Sequence, residues 1–215
     1  RAALEYRRQY PSAVRSIALD GVAPADMALP ASFAADAEAR LADWLAACER
    51  DSACSRRWPG QRAKLADWLS PEQREVALRA PDDGRPLRVK ADTLLLAASL
   101  RSALYAPQTA RMLPFAIDRA TQGDAAPLFA LAGSLGDGLA GGFALGMHLA
   151  VICSEDLPRV RREDFARRGL FGGQLARYYE ALCMDFPRAA VPAAFYSPPV
   201  GDVPVLALSG GLDPV

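Results

Sequence analysis

The sequence predicts a mainly α-helical protein with two parallel β-strands, one near each end of the chain. Three observations carry that prediction. Ala accounts for 43 of the 215 residues and 23 of the 25 basic residues are Arg, a composition rich in helix formers. Across the middle of the chain, apolar residues recur at helical spacing with charges between them. Near the ends stand two short, strand-like apolar runs at 14–20 and 203–208, bounded by Gly and Pro. Unbroken rather than alternating apolar character belongs to strands of a parallel sheet buried on both faces.

Taken in order, residues 1–10 (RAALEYRRQY) are helix formers and stop at Pro11-Ser12. VRSIALD at 14–20 reads as a buried strand closed by Gly21, and Pro24 and Pro30 carry the chain away from it. Over 32–49, Phe33, Ala37, Leu41, Trp44, Leu45 and Cys48 form an apolar stripe, with Ser32 as N-cap. Ser70-Pro71-Glu72-Gln73 has the pattern of a helix start, which predicts a helix over 71–79. Two further helices are expected at 92–105 and 106–122, separated at Pro107. Residues 164–185 predict a helix or helix pair broken around 169–173, and 203–208 (VPVLAL) a second buried strand. The middle is thus a helical insertion flanked by two sheet strands.

Charge excludes some classes of function. Lys and Arg number 25 against 25 Asp and Glu, and the pI is near 6.8. A balanced chain has no field to steer a polyanion, so neither nucleic acid nor an anionic membrane surface is an expected partner. With 51% hydrophobic residues the chain can bury a core, as one domain or a small pair. The stretch 125–154 has Asp137 as its one formally charged residue, but its glycines and central Asp favour a buried, loosened helical region over a membrane span. His148 is the sole histidine, which leaves little room for a self-contained acid/base site. The chain opens on Arg1 in what reads as mid-helix and ends just past a strand, as a piece of a longer protein would.

The four cysteines fall into two pairs. Cys48 and Cys54 enclose the polar turn formers ERDSA; Cys153 and Cys183 each end an apolar stretch and precede an acidic residue and a Pro. Disulfides in an exported protein fit this pattern, each worth roughly 3 to 4 kcal/mol on loop-entropy grounds. Free buried thiols are the alternative, and a four-thiolate zinc site the weakest, because closely spaced CxxC knuckles are absent.

Four ordered segments resemble a known family: RAALEYRRQYPSAVRSIALDGVAP (1–24), LYAPQTARMLPFAIDRATQGD (104–124), GMHLAVICSEDLPR (146–159) and VPVLALSGGLDPV (203–215). They are similar to segments of α/β-hydrolases of the tripeptidyl aminopeptidase and proline iminopeptidase type, across essentially the whole chain. The resemblance implies a helical cap, or lid, over 25–200. Two flanking pieces of the hydrolase core accompany it, at 1–24 and at 201–215, the second a strand ending at the triad acid. It also implies an exported, periplasmic or extracellular serine hydrolase that cleaves peptide N-termini through an acyl-enzyme, with a peptide or small ester as substrate, no cofactor and no metal. Triad order in this fold is Ser, Asp, His, so a chain lacking both nucleophile and catalytic His is expected to be inactive alone.

Asp213 is the implied triad acid, which orients the imidazole and stabilises its charged form. From the residues alone it is an Asp at the carboxyl end of a buried strand, where open α/β sheets place their sites, or a turn residue before Pro214. Glu155 and Asp156 are the implied cap carboxylates for the substrate's amino group; otherwise they cap the helix before Pro158. Ala132-Gly133-Ser134-Leu135-Gly136 has the outline of a nucleophile elbow, but reads better as a loop between helices. His148 precedes Asp213, against the triad order, and reads as a core or lid-facing histidine. An esterase of the same fold is the alternative enzyme. A helical binding or assembly module, able to form a homodimer through exposed strand edges, is the alternative outside enzymes.

Overall fold

The computed structural model describes residues 1–70, 73–80, 82–131 and 144–214. Helix α1 (Ala2–Gln9) stops ahead of Pro11, and β1 (Ile17–Asp20) follows. β1 pairs in parallel with β4 (Val205–Leu208), Ile17 opposite Val205 and Asp20 opposite Leu208. The buried Arg7 of α1 donates to the carbonyls of Pro199 (3.2 Å) and Gly201 (2.7 Å), tying α1 to the chain that enters β4. Both strands stand where the apolar runs place them, a few residues shorter, and their parallel pairing is as expected.

Their burial is not. β1 alternates half-buried and exposed residues, and all of β4 is exposed, Leu206 at 58% and Leu208 at 51%. Among the described residues this sheet has two strands, too few to give either a neighbour on both edges.

The main core is helical. It joins α2 (Ala31–Arg50), α4 (Gln61–Leu69), α5 (Thr93–Leu104) and α7 (Leu113–Thr121). The short α3 (Ser52–Arg57) and α6 (Pro107–Ala110) connect them. Helix α2 buries Phe33, Ala37, Leu41, Leu45 and Cys48, the stripe expected from its spacing. Ala37, Leu41 and Leu45 pack in one cluster with Trp68, Leu100 and Ile117, each buried Leu or Ile side chain contributing about 1.5–3 kcal/mol. Ser32 is not the cap: the helix starts from Pro30, and the Ser32 hydroxyl is buried with no hydrogen-bond partner among the described residues. Asp92 does cap α5, its carboxylate accepting from the Leu95 N–H at 2.8 Å.

Of the helix expected over 71–79, residues 71 and 72 lie outside the described residues, and 73–79 form a strand instead. β2 (Gln73–Arg79) pairs antiparallel with β3 (Pro86–Asp92), Val76 opposite Val89. Ser70 ends α4 instead of starting a helix, its N–H and hydroxyl both donating to the Asp67 carbonyl. Beyond it, Val76 is buried and Leu78 half-buried, while Glu75, Ala77 and Arg79 are exposed. That alternation has the two-residue period of a strand, and pairing with 86–92 overrides the capping pattern.

In the second half, α8 (Leu145–Val151) runs into a π-helical turn, Ile152–Asp156. Helices α9 (Arg162–Ala166) and α10 (Gln174–Cys183) are the expected pair, broken where Gly169 adopts φ +108. Both disulfides are present, Cys48–Cys54 joining α2 to α3 and Cys153–Cys183 joining the π-helical turn to the end of α10. Cys153 and Cys183 centre a second, small core with Leu149 and Ile152. Among the described residues no helix is long and apolar enough to cross a membrane.

Candidate functional site

The parallel strands β1 and β4 deliver two loops to the same end of the sheet, Gly21–Val22 and Ser209–Pro214. A cavity of about 790 Å³ opens there, roofed by α2 and the end of α5. Asp213 lies on its wall, five residues beyond β4, exposed, with its N–H on the Gly210 carbonyl at 3.2 Å. Helix α2 presents Asp36, Arg40 and Trp44 to the cavity, a spacing of four that puts all three on one face. Arg40 bridges the layers: it pairs with Asp43 at 3.0 Å and donates to the Gly211 carbonyl in the strand-end loop. Tyr105 forms part of the roof. Desolvation raises its phenol above the usual range, opposed by Arg101, which bonds its hydroxyl, and reinforced by the negative charge of Asp213. Carboxyl ends of parallel strands are where open α/β sheets bind ligands.

Glu155 and Asp156 line a second cleft, of about 670 Å³, between α1 and the π-helical turn. Ala23 and Leu29 belong to the walls of both cavities, so the two adjoin. Both carboxylates engage one cation: Arg1 reaches Glu155 Oε2 at 3.1 Å and the fully buried Asp156 Oδ1 at 2.6 Å. Arg1 and Arg159 also donate to the Met27 carbonyl, and Arg159 lies 4.0 Å from the centre of the Tyr196 ring. The Tyr196 hydroxyl donates to the Glu155 carbonyl at 2.9 Å. These contacts hold the turn against the loop that follows β1; π-helical turns are frequent at functional sites.

His148 Nε2 lies 2.7 Å from the Tyr179 hydroxyl. Burial lowers its pKa, with Asp156 acting in the opposite sense, so the imidazole is held neutral at pH 7. It is not among the residues lining the Asp213 cavity. Ser134 and its elbow-like neighbours lie outside the described residues. Among those described, no three His, Cys, Asp or Glu side chains cluster as metal ligands do.

The sequence reading did not single out Asp36, Arg40 or Tyr105. The spacing 36, 40, 44 was visible, but its Trp44 belongs to the apolar stripe of α2 and its two charged members look like the ordinary solvated edge of that stripe. In comparison with known proteins, no family model matches the chain, and neither a curated protein nor a solved structure matches it.

Proposed function

We propose that this chain is the helical cap, with two adjoining core strands, of an exported serine hydrolase of the α/β-hydrolase kind that acts on peptide N-termini. The observation that carries the proposal is the position of Asp213, just past the carboxyl end of a strand in a parallel pair and on the wall of a cavity roofed by helices. A triad acid needs that position to reach an imidazole lying over the strand ends. Glu155 and Asp156, in the adjoining cleft, are the carboxylates available for a substrate amine, on condition that Arg1 yields. Two disulfides fit an oxidising compartment.

In this mechanism a serine from outside these 215 residues attacks the substrate carbonyl, and a histidine, also from outside, takes the serine proton. Asp213 accepts the hydrogen bond from the other imidazole nitrogen and stabilises the cation that forms. The histidine then gives its proton to the leaving amine, an acyl-enzyme remains, and water releases it by the same steps in reverse roles. The cap helices shape the cavity and limit access to large substrates.

The test is made on the intact protein from the reading frame that contains this chain. A fluorophosphonate should label one serine, and Asp213→Asn should lower kcat for an aminoacyl amide by about 10⁴. Absence of labelling, or an Asp213→Asn variant of undiminished kcat, would sink the proposal. Preference for an ester over the matching amide would redirect it to the esterase.

A further inference from the structure

Asp213 leaves β4 on an exposed loop in which Gly210 and Gly211 stand side by side. Adjacent glycines give the backbone many accessible conformations, so this turn does not fix itself. Its internal bond, from the Asp213 N–H to the Gly210 carbonyl at 3.2 Å, closes the turn without orienting it against the roof of the cavity. The orienting contact comes from the helical layer. Nη1 of Arg40 donates to the Gly211 carbonyl, two residues before Asp213, while Nη2 pairs with Oδ2 of Asp43 at 3.0 Å. The planar guanidinium fork serves both partners at once, so Asp43 fixes the direction in which Arg40 points. Behind Arg40, Ala37 and Leu41 seat α2 in the main core, which makes the helix a rigid mount.

We propose that Arg40 is a positioning residue for Asp213: by holding the Gly211 carbonyl it keeps the Asp213 carboxylate where the histidine of the proposed hydrolase needs it. The inference rests on the reading of Asp213 as the triad acid. It gives the helical layer a part in the chemistry besides shaping the cavity.

The test uses the intact protein. Arg40→Ala should lower kcat for an aminoacyl amide by roughly ten- to a hundredfold with KM little changed, the cost of a slightly misplaced catalytic group. Arg40→Lys, which keeps a donor for the carbonyl, should recover most of the loss. Because Arg40 acts through Asp213, Arg40→Ala should cost nothing further in an Asp213→Asn background, whereas a general loosening of the fold would add to it. Arg62→Ala, which removes an exposed Arg–Glu pair between α4 and α2 outside the cavity, should leave kcat unchanged, and thermal melts check that each variant is folded. Independently of activity, pulsed hydrogen exchange should be faster at the Asp213 N–H in Arg40→Ala than in wild type. Wild-type kcat in Arg40→Ala, full additivity with Asp213→Asn, or unchanged exchange each overturns the proposal. Absence of a fluorophosphonate-labelled serine overturns the hydrolase and with it the catalytic purpose of the contact, while the exchange measurement still decides whether Arg40 holds the loop.

Discussion

The Arg1 guanidinium lies 2.6 Å from Oδ1 of Asp156, a carboxylate with no solvent exposure, and joins the start of α1 to the π-helical turn. Burial works against the charge on Arg1, yet Asp156 and Glu155 outweigh it and raise the guanidinium pKa above its usual value. A buried pair adds little net stability, but removing one partner strands the other, at a cost of about 3–5 kcal/mol. Arg1→Gln should therefore lower Tm by roughly 6 °C or more. Adding Asp156→Asn to that variant should restore most of the loss, because the charge then left without a partner, on Glu155, is partly solvated whereas that of Asp156 is fully buried. A double variant no more stable than Arg1→Gln would show that the pair's charge is not what holds the turn.

The two disulfides should differ in worth. Their sequence separations are 6 and 30 residues, which on loop entropy correspond to about 2 and about 4 kcal/mol, so the short Cys48–Cys54 loop falls below the 3 to 4 kcal/mol expected of each. Burial widens the gap, since Cys153 and Cys183 sit inside the small second core. Replacing Cys153 and Cys183 together by Ala should thus shift the urea midpoint further than replacing Cys48 and Cys54. The reverse order would mean that the second core does not depend on its disulfide.

How much of this was legible depended on whether the information was local. The α2 stripe, the Pro107 separation, the Gly break at 169–173 and both cysteine pairings rest on residues close in sequence or on an even, well-spaced count, and all appear in the structure. The β2–β3 hairpin was missed because Ser70-Pro71-Glu72 carries a strong local helix-start pattern, while the competing strand is stabilised by residues 86–92. Continuous apolar character marked β1 and β4 as strands, but exposure depends on what packs on them, and the runs themselves carry no such information. Asp213 could be singled out because it follows a strand. Asp36 and Arg40 could not, because the cavity they line is closed by the strand-end loop, where Arg40 reaches the carbonyl of Gly211, 171 residues away.

Gly173 is expected to tolerate no side chain. A Cβ there would stand 2.1 Å from the Phe165 carbonyl oxygen and 2.8 Å from that of Asp164, both rigid backbone. Gly173→Ala must push α9 and α10 apart, and should destabilise by about 1–3 kcal/mol. Gly146, inside α8, has no atom of the described residues within 4 Å of its Cβ position, so Gly146→Ala should instead stabilise by roughly 0.5–1 kcal/mol. Paired urea titrations check both signs, and a neutral Gly173→Ala would refute the close approach of the two helices.

His148 should make the fold acid-sensitive before the carboxylates titrate. Burial lowers its pKa below the ordinary value of 6.5, and the opposing attraction of Asp156 does not make up the difference, because Asp156 is already paired with Arg1. The unfolded chain therefore binds the proton more readily than the folded one. Stability rises with pH wherever the unfolded state holds more protons, so the contribution is complete above about pH 6.5 and is lost as pH falls from there towards the folded pKa. For one proton the slope cannot exceed about 1.4 kcal/mol per pH unit. Because His148 is the sole histidine, His148→Gln should flatten the stability curve between pH 7 and pH 5.5, with Gln still able to bond the Tyr179 hydroxyl. Urea midpoints for wild type and variant that fall in parallel over that range would assign the acid sensitivity to other groups.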